Sequence, residues 1–183
     1  NSYAILPEAT KCYVNFDGGT LHTVRKDDLF GAPTCRVDRV TTYAKGATIK
    51  VEKLFFATNH TEIAGPTGRG VKRVVWAGTP AAARTYSGAP MIVIYDRAGK
   101  GHGATAFAKF DRATGKVTDV IMTSEGFDYE DPYAEVRCGV RGSATDGWLE
   151  NACELTDANR VSGGLAKTGE GTLVKSGAGT LAF

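Results

Sequence analysis

The chain has 183 residues, 42% of them apolar, with 22 Lys and Arg against 20 Asp and Glu for a formal charge of +2. A balanced, scattered charge excludes the basic stripe that tracks a phosphate backbone. No apolar run approaches the ~18–20 residues of a membrane-spanning helix. Glycine is abundant (23 residues) and methionine scarce (2), a content that suits short strands joined by tight turns.

The chain opens at Asn1 with no methionine or signal-like stretch, which reads as a processed or excised segment. The first strand-like stretch is Tyr13–Phe16, turning through Asp17-Gly18-Gly19 into Thr20–Val24. Val37–Tyr43 and Ala47–Glu52 follow, parted by Lys45-Gly46. Gly65-Pro-Thr-Gly-Arg-Gly70 lacks the Gly-Lys-Ser/Thr ending of a phosphate-cradling loop and is read as a turn.

The middle holds a loose repeat. Val71–Trp76, Tyr86-Ser-Gly-Ala-Pro90 and Met91–Ile94 are echoed by Val117–Met122, Tyr129-Glu-Asp-Pro132 and Tyr133–Val136. Each Pro suits the first position of a strand, where its missing N–H harms no ladder bond. Each Tyr is expected to tuck its ring under the corner with its hydroxyl in water. Ala104–Phe110 alternates as a strand, and Asp111–Gly115 reads as a hairpin connection. The Ala-rich stretch Pro80–Arg84 is the best helical window, at barely one turn. Residues 141–163 read as a loop-rich connection.

The C-terminal part is repetitive. Lys167-Thr-Gly-Glu-Gly-Thr-Leu173 is followed eight residues later by Lys175-Ser-Gly-Ala-Gly-Thr-Leu181, with five of seven positions identical. Eight residues make one short strand and one tight turn, a unit that buries its apolar face only by stacking on neighbours. The pattern breaks off at Phe183 in mid-repeat, which again suggests part of a longer chain.

Gly163-Gly-Leu-Ala-Lys-Thr-Gly-Glu-Gly-Thr-Leu173 resembles the autotransporter-associated beta-strand repeat of large bacterial surface and secreted proteins. Asn15-Phe-Asp-Gly-Gly-Thr-Leu21 and Gly46-Ala-Thr-Ile49 resemble segments that often precede it, and the Tyr–Pro units resemble repeats of adhesin-like chains. The resemblance implies a passenger-like extracellular segment with a β-helix or similar solenoid, and it brings no catalytic residues. Four cysteines, the lack of an acidic, Asn-rich composition and Lys50-Val-Glu-Lys53 in place of an Asp-rich turn depart from that pattern.

The expectation is therefore an all-β fold, a β-solenoid or β-helix-like stack with hairpin decorations. It divides into residues 1–140, a β-rich repeat region, and 141–183, a loop connection followed by the C-terminal repeats. The expected role is structural and not enzymatic: an adhesin stalk, spacer or filament subunit at the bacterial surface. Strand pairing through Gly171, Thr172, Leu173, Val174, Gly179, Thr180, Leu181 and Phe183 would join it to other copies or to neighbouring repeats. No cofactor motif is present.

Cys12, Cys35, Cys138 and Cys153 show neither C-x-x-C nor zinc-ligand spacing. Outside the cell, Cys12–Cys35 and Cys138–Cys153 are the natural pairs among three possible pairings; inside it, all four would be thiols. Glu125, Asp128, Glu130 and Asp131 cluster enough for Ca²⁺ but lack the EF-hand spacing, so a solvated acidic loop is the competing reading. His22, His60 and His102 have no carboxylate at a diagnostic spacing and read as exposed. Trp76, Tyr86, Tyr95, Phe127, Tyr129, Tyr133 and Trp148 offer an alternative function, a platform for surface glycans, against the simpler role of filling the core. Asn59-His60-Thr61 matches the glycosylation sequon by chance.

Overall fold

A computed structural model describes residues 11–23, 27–28, 30, 37–53, 56–59, 61–76, 85–137, 149–170 and 172–175. The fold is all-β, and no helix occurs among the described residues. The Ala-rich stretch Pro80–Arg84 lies outside them. The chain forms two compact units, Asn1–Pro66 with Val161–Phe183, and Thr67–Arg160. The boundary at 140/141 is thereby corrected: it falls inside the second unit, and the C-terminal repeats belong with the N-terminal strands. Parallel pairing across more than a hundred residues causes this, and no linker composition announces it.

The first unit contains β1 (Tyr13–Phe16), β2 (Thr20–Thr23), β3 (Asp27–Asp28), β4 (Arg39–Thr42), β5 (Ala47–Val51), β6 (Phe56–Asn59) and β7 (Ile63–Ala64). After the second unit come two more strands of the first, Leu165–Thr168 and Thr172–Lys175. Consecutive strands are dealt in turn to three sheets. β1, β4 and β7 form one, and β2, β5 and Leu165–Thr168 form another. β3, β6 and Thr172–Lys175 form the last. Every ladder in the three sheets is parallel.

Register decides which side chains meet, because paired residues of parallel strands present the same face. Val14 stands beside Val40, and Val40 beside Ile63. Leu21 stands beside Ile49, and Ala47 beside Leu165. These residues build one core with Phe30, Val37 and Val51, in which Val40 and Val51 are fully buried. Phe16 meets Phe30 edge-on, with ring centroids 6.2 Å apart.

Between the first and second sheets the chain turns on glycine, and these turns stack on one another. Gly18 N–H donates to Gly46 O at 2.8 Å, and Ala47 N–H donates to Gly164 O at 3.1 Å. Gly18, Gly46 and Gly164 all have positive φ (94°, 66° and 73°). A Cβ on Gly46 would lie 2.8 Å from the carbonyl oxygens of both Gly163 and Gly164. Backbone fills the place a side chain would need, so the turn requires glycine for space as well as conformation.

The second unit comprises β8 (Val71–Val74), β9 (Met91–Asp96), β10 (His102–Asp111), β11 (Lys116–Phe127), β12 (Pro132–Arg137) and β13 (Leu149–Leu155). The two C-terminal strands of the first unit are thus β14 (Leu165–Thr168) and β15 (Thr172–Lys175). The sheet order is β11-β10-β9-β12-β13-β8, with antiparallel ladders. Its end strands β8 and β11 also approach each other, so the sheet curls into a near-closed barrel. Closure limits exposed edges. β12 alternates strictly, with Pro132, Ala134 and Val136 buried. Ala134 and Val136 pack with Val74, Ile92, Ala108, Val117 and Val120. The β10–β11 hairpin turns where expected: Asp111 accepts from Ala113 N–H at 2.9 Å and from the Thr114 hydroxyl at 2.7 Å. Residues 141–163 depart from the loop-rich expectation, because β13 starts at Leu149. Its Glu and Asn residues hide the alternation while Asn151 and Cys153 face inward.

Gly46→Ala is expected to destabilise the protein by about 2 kcal/mol or more, combining a left-handed φ with steric overlap. Gly88→Ala, where a Cβ meets nothing within 4 Å, should change stability by under about 0.5 kcal/mol. Urea midpoints of the two variants check the contrast.

Candidate functional site

The eight-residue repeat corresponds to one strand and its turn. β14 places Leu165 in the core at 4% exposure, and eight residues later Leu173 of β15 packs against the same core. Between them Gly169 turns with φ 80°, and a Cβ there would strike the Val51 carbonyl. Of the residues expected to pair strands, Thr172, Leu173 and Val174 lie in β15 and pair in parallel with Phe56, Ala57 and Thr58 of β6. Gly171, Gly179, Thr180, Leu181 and Phe183 lie outside the described residues.

The loops at one end of the second unit are organised by two charged side chains that the sequence did not single out. Asp96, closing β9, accepts four backbone N–H groups. Glu130 and Asp131 reach its Oδ1 at 3.3 and 2.7 Å, and Lys100 and Gly101 reach its Oδ2 at 3.0 and 2.8 Å. Burial pulls its pKa upward, but the four donors together outweigh burial and hold it below the ordinary aspartate value. Arg160 is the counterpart for carbonyls. Its guanidinium donates to Thr67 O at 2.8 Å, Gly68 O at 3.2 Å and Gly126 O at 2.6 Å, with Glu125 at 3.5 Å. Its side chain is only 8% exposed. It thus ties both chain ends of the second unit to the end of β11.

Between these anchors the Tyr129 ring is wedged against Gly101 and Gly126, where a Cβ on either would overlap it. The ring is buried, as expected for the corner, but the hydroxyl does not point to water. It accepts from Ala104 N–H at 3.3 Å. A hollow of about 370 Å³ lies beside it, lined by Arg69, Lys100, Asp128 and Glu130 among others. A larger one, about 590 Å³, borders the β10–β11 turn and includes Tyr86, Phe110 and Arg112 in its lining.

The acidic cluster does not converge. Glu130 pairs with Lys100 at 2.7 Å, Asp131 with Arg97 at 3.5 Å and Glu125 with Arg160, while Asp128 accepts the Thr67 hydroxyl at 2.9 Å. The Ca²⁺ possibility is corrected on this ground: each carboxylate is directed to a different partner. Among the described residues no group of three His, Cys, Asp or Glu is placed to hold a metal.

The histidines separate. His22 Nε2 sits 2.7 Å from Glu52, which also pairs with Lys50 at 2.8 Å. This carboxylate lies thirty residues away in the chain, and the parallel register of β2 on β5 brings it close. His102 meets Phe127 edge-on at 6.1 Å, and His60 lies outside the described residues. Gly65–Gly70 is a turn leading into β8, as expected, with Gly70 N–H bonded to the Thr156 hydroxyl at 2.9 Å. In the sequon, the Thr61 hydroxyl is buried and donates to Val37 O at 2.7 Å.

The seven aromatics do not form one platform. Tyr86, Phe127 and Tyr129 are 2–3% exposed, and Trp76 packs against the core of the second unit. Trp148 lies outside the described residues. Tyr95 and Tyr133 are cross-strand partners on the outer face of β9 and β12, stacked at 5.3 Å. Arg97 covers the Tyr133 ring at 4.3 Å and Arg137 approaches the Tyr95 ring at 5.3 Å. Across the same face Met91, Phe107 and Ile121 form an exposed apolar row on three neighbouring strands.

Cys12 and Cys153 carry free thiols, and no disulfide occurs among the described residues. Their sequence-proposed partners Cys35 and Cys138 lie outside them. Burial pushes the Cys153 thiol up to about 11, so little reactive thiolate forms near neutral pH. No helix among the described residues is long and apolar enough to cross a membrane.

Compared with known proteins, the chain matches no family model, no curated protein and no solved structure.

Asp96→Asn keeps the shape but loses the charge and turns one accepting oxygen into an NH2 that cannot accept, so two of the four N–H groups lose their acceptor. It should cost about 1–3 kcal/mol at pH 7. The folded pKa of Asp96 lies below its unfolded value near 3.9. Its contribution is therefore complete above that unfolded value and disappears as pH falls through the folded one. Urea titrations between about pH 2 and 7 should show this acid-labile component in the native protein and its loss in the variant.

Proposed function

We propose that the chain is a structural segment of an extracellular bacterial repeat protein, a spacer or stalk whose first unit is a short β-solenoid. One observation carries this reading: consecutive strands visit three parallel sheets in strict rotation, so that β1–β3, β4–β6 and β7 with β14–β15 are three successive coils. Each coil buries its apolar side chains only against the next, which is the logic of a stack that lengthens by repetition. The second unit is then an insertion in the third coil, between β7 and β14. The resemblance of Gly163–Leu173 to the autotransporter-associated repeat fits this scheme. Gly163-Gly164 supply one turn, Leu165 an inward position, Gly169 the next turn and Leu173 the next inward position.

An enzymatic role has less support, since the charged groups brought together are occupied in organising loops. Glycan binding is not favoured by the outward aromatics, because guanidinium groups lie over the rings a sugar would stack on.

Duplicating residues 39–62 in tandem tests the reading. A solenoid accepts one additional coil and lengthens by about 4.8 Å. The expected product is a folded all-β protein with a cooperative transition and a urea midpoint no lower than the parent's. An unfolded or aggregated product would show that the first unit is a closed core, not a repeating stack.

A further inference from the structure

Two opposite charges at the loop end of the second unit stand apart without meeting. Arg69 and Asp128 both line the hollow of about 370 Å³ beside Tyr129. They form no ion pair with each other, and the Arg69 guanidinium has no hydrogen-bond or ion-pair partner among the described residues. Asp128 engages one oxygen: Oδ2 accepts from the Thr67 hydroxyl at 2.9 Å, and Oδ1 accepts from no described group. Its backbone lies in the left-handed region at φ 59°, with its N–H donating to Thr67 O at 3.2 Å. Among the described residues it is the only non-glycine with a positive φ, a conformation that persists only where neighbouring contacts impose it. The walls are fixed from behind. Tyr129 N–H donates to Arg69 O at 2.9 Å, Arg160 ties Thr67 and Gly68, and Asp96 gathers the amides of Lys100 and Glu130. Lys100 and Glu130, the other charges of the lining, satisfy each other at 2.7 Å.

We infer that this hollow binds a small zwitterion, a free amino acid, with its carboxylate on Arg69 and its ammonium on Asp128. The volume falls in the lower part of the roughly 300–1,000 Å³ range of ligand sites, room for one molecule of that size. Arg69 and Lys100 balance Asp128 and Glu130, so the lining carries no net charge. A simple anion would meet the carboxylates, and a simple cation the guanidinium and ammonium; either juxtaposition is costly. A ligand carrying both signs is opposed by neither, and it gives each unengaged group a charge-assisted hydrogen bond. A guanidinium takes a carboxylate through two parallel N–H donors, and Asp128 Oδ1 is an acceptor for an ammonium. Because the walls are already held in place, little ordering accompanies binding. The lining residues all belong to the second unit, so the inference stands or falls apart from the stacked-coil reading of the first.

Saturation-transfer NMR on the full chain, with each of the common L-amino acids at millimolar concentration, tests the inference. At least one should receive saturation, and its transfer should vanish with the double variant Arg69→Gln, Asp128→Asn. Two analogues of that amino acid separate the charges. Its carboxamide lacks the carboxylate and its 2-hydroxy acid lacks the ammonium, and each should bind at least about tenfold more weakly. Arg69→Gln alone should abolish the preference over the carboxamide, and Asp128→Asn alone the preference over the hydroxy acid. Both variants should fold, because the Tyr129 bond to Arg69 is made by backbone and an Asn oxygen still accepts the Thr67 hydroxyl. Should either fail to fold, the analogues on the native protein decide the matter alone. No transfer to any amino acid beyond that seen with the double variant would overturn the inference. So would analogues that bind as tightly as the amino acid, or folded single variants that keep both preferences.

Discussion

The first unit depends on backbone meeting backbone at its glycine turns. For parallel strands to pair at every level, the chain must turn at the same place each time, and successive turns must come within hydrogen-bonding distance. Gly46 donates to Tyr43 O and accepts from Gly18 N–H, while Gly163 N–H also reaches Tyr43 O. A Cβ on Gly46 or Gly163 would strike the backbone of the neighbouring turn. Once the turns are aligned, register follows along each strand, and Val40 and Ile49 fall among hydrocarbon without a separate device. Each such side chain contributes about 1.5–3 kcal/mol by leaving water.

The second unit solves a different problem. An antiparallel sheet with long connections has many loop amides and carbonyls to satisfy. Asp96 collects four of the donors, and Arg160 collects three of the carbonyls. A carboxylate can only accept and a guanidinium can only donate, so each is matched to the groups it gathers. The charged residues that looked like candidates for metal or acid–base chemistry are thus largely committed to loop architecture. On the outer face Arg97 and Arg137 do similar work, combining ion pairs to Asp131 and Glu135 with cover for the tyrosine rings.

Much of the local structure was legible. Tyr13–Phe16, Ala47–Val51, Met91–Asp96 and Ala104–Phe110 are strands because their residues alternate or run apolar, a signal contained in a few neighbours. The Asp111–Gly115 turn could be read from Asp at its start and Gly at its end. The eight-residue repeat was legible as strand plus turn because glycine has to recur wherever the chain turns. β13 was missed, since its inward positions include Asn151 and Cys153 and give no clear apolar alternation. The His22–Glu52 pair and the anchors Asp96 and Arg160 were illegible for another reason: their partners lie four to ninety-three residues away.

The sequence by itself determined that the chain is all-β, where most strands begin and end, and that its C-terminal units are built on glycine turns. These are short-range properties, set by φ preferences and by alternation within a strand. Only the tertiary structure decided that β14 and β15 complete sheets begun by β2 and β3, and that Thr67–Arg160 forms a unit of its own. Those outcomes depend on which distant strand lies alongside. Parallel pairing is chosen by the joint fit of many side chains across the whole unit, so no local stretch of residues carries it.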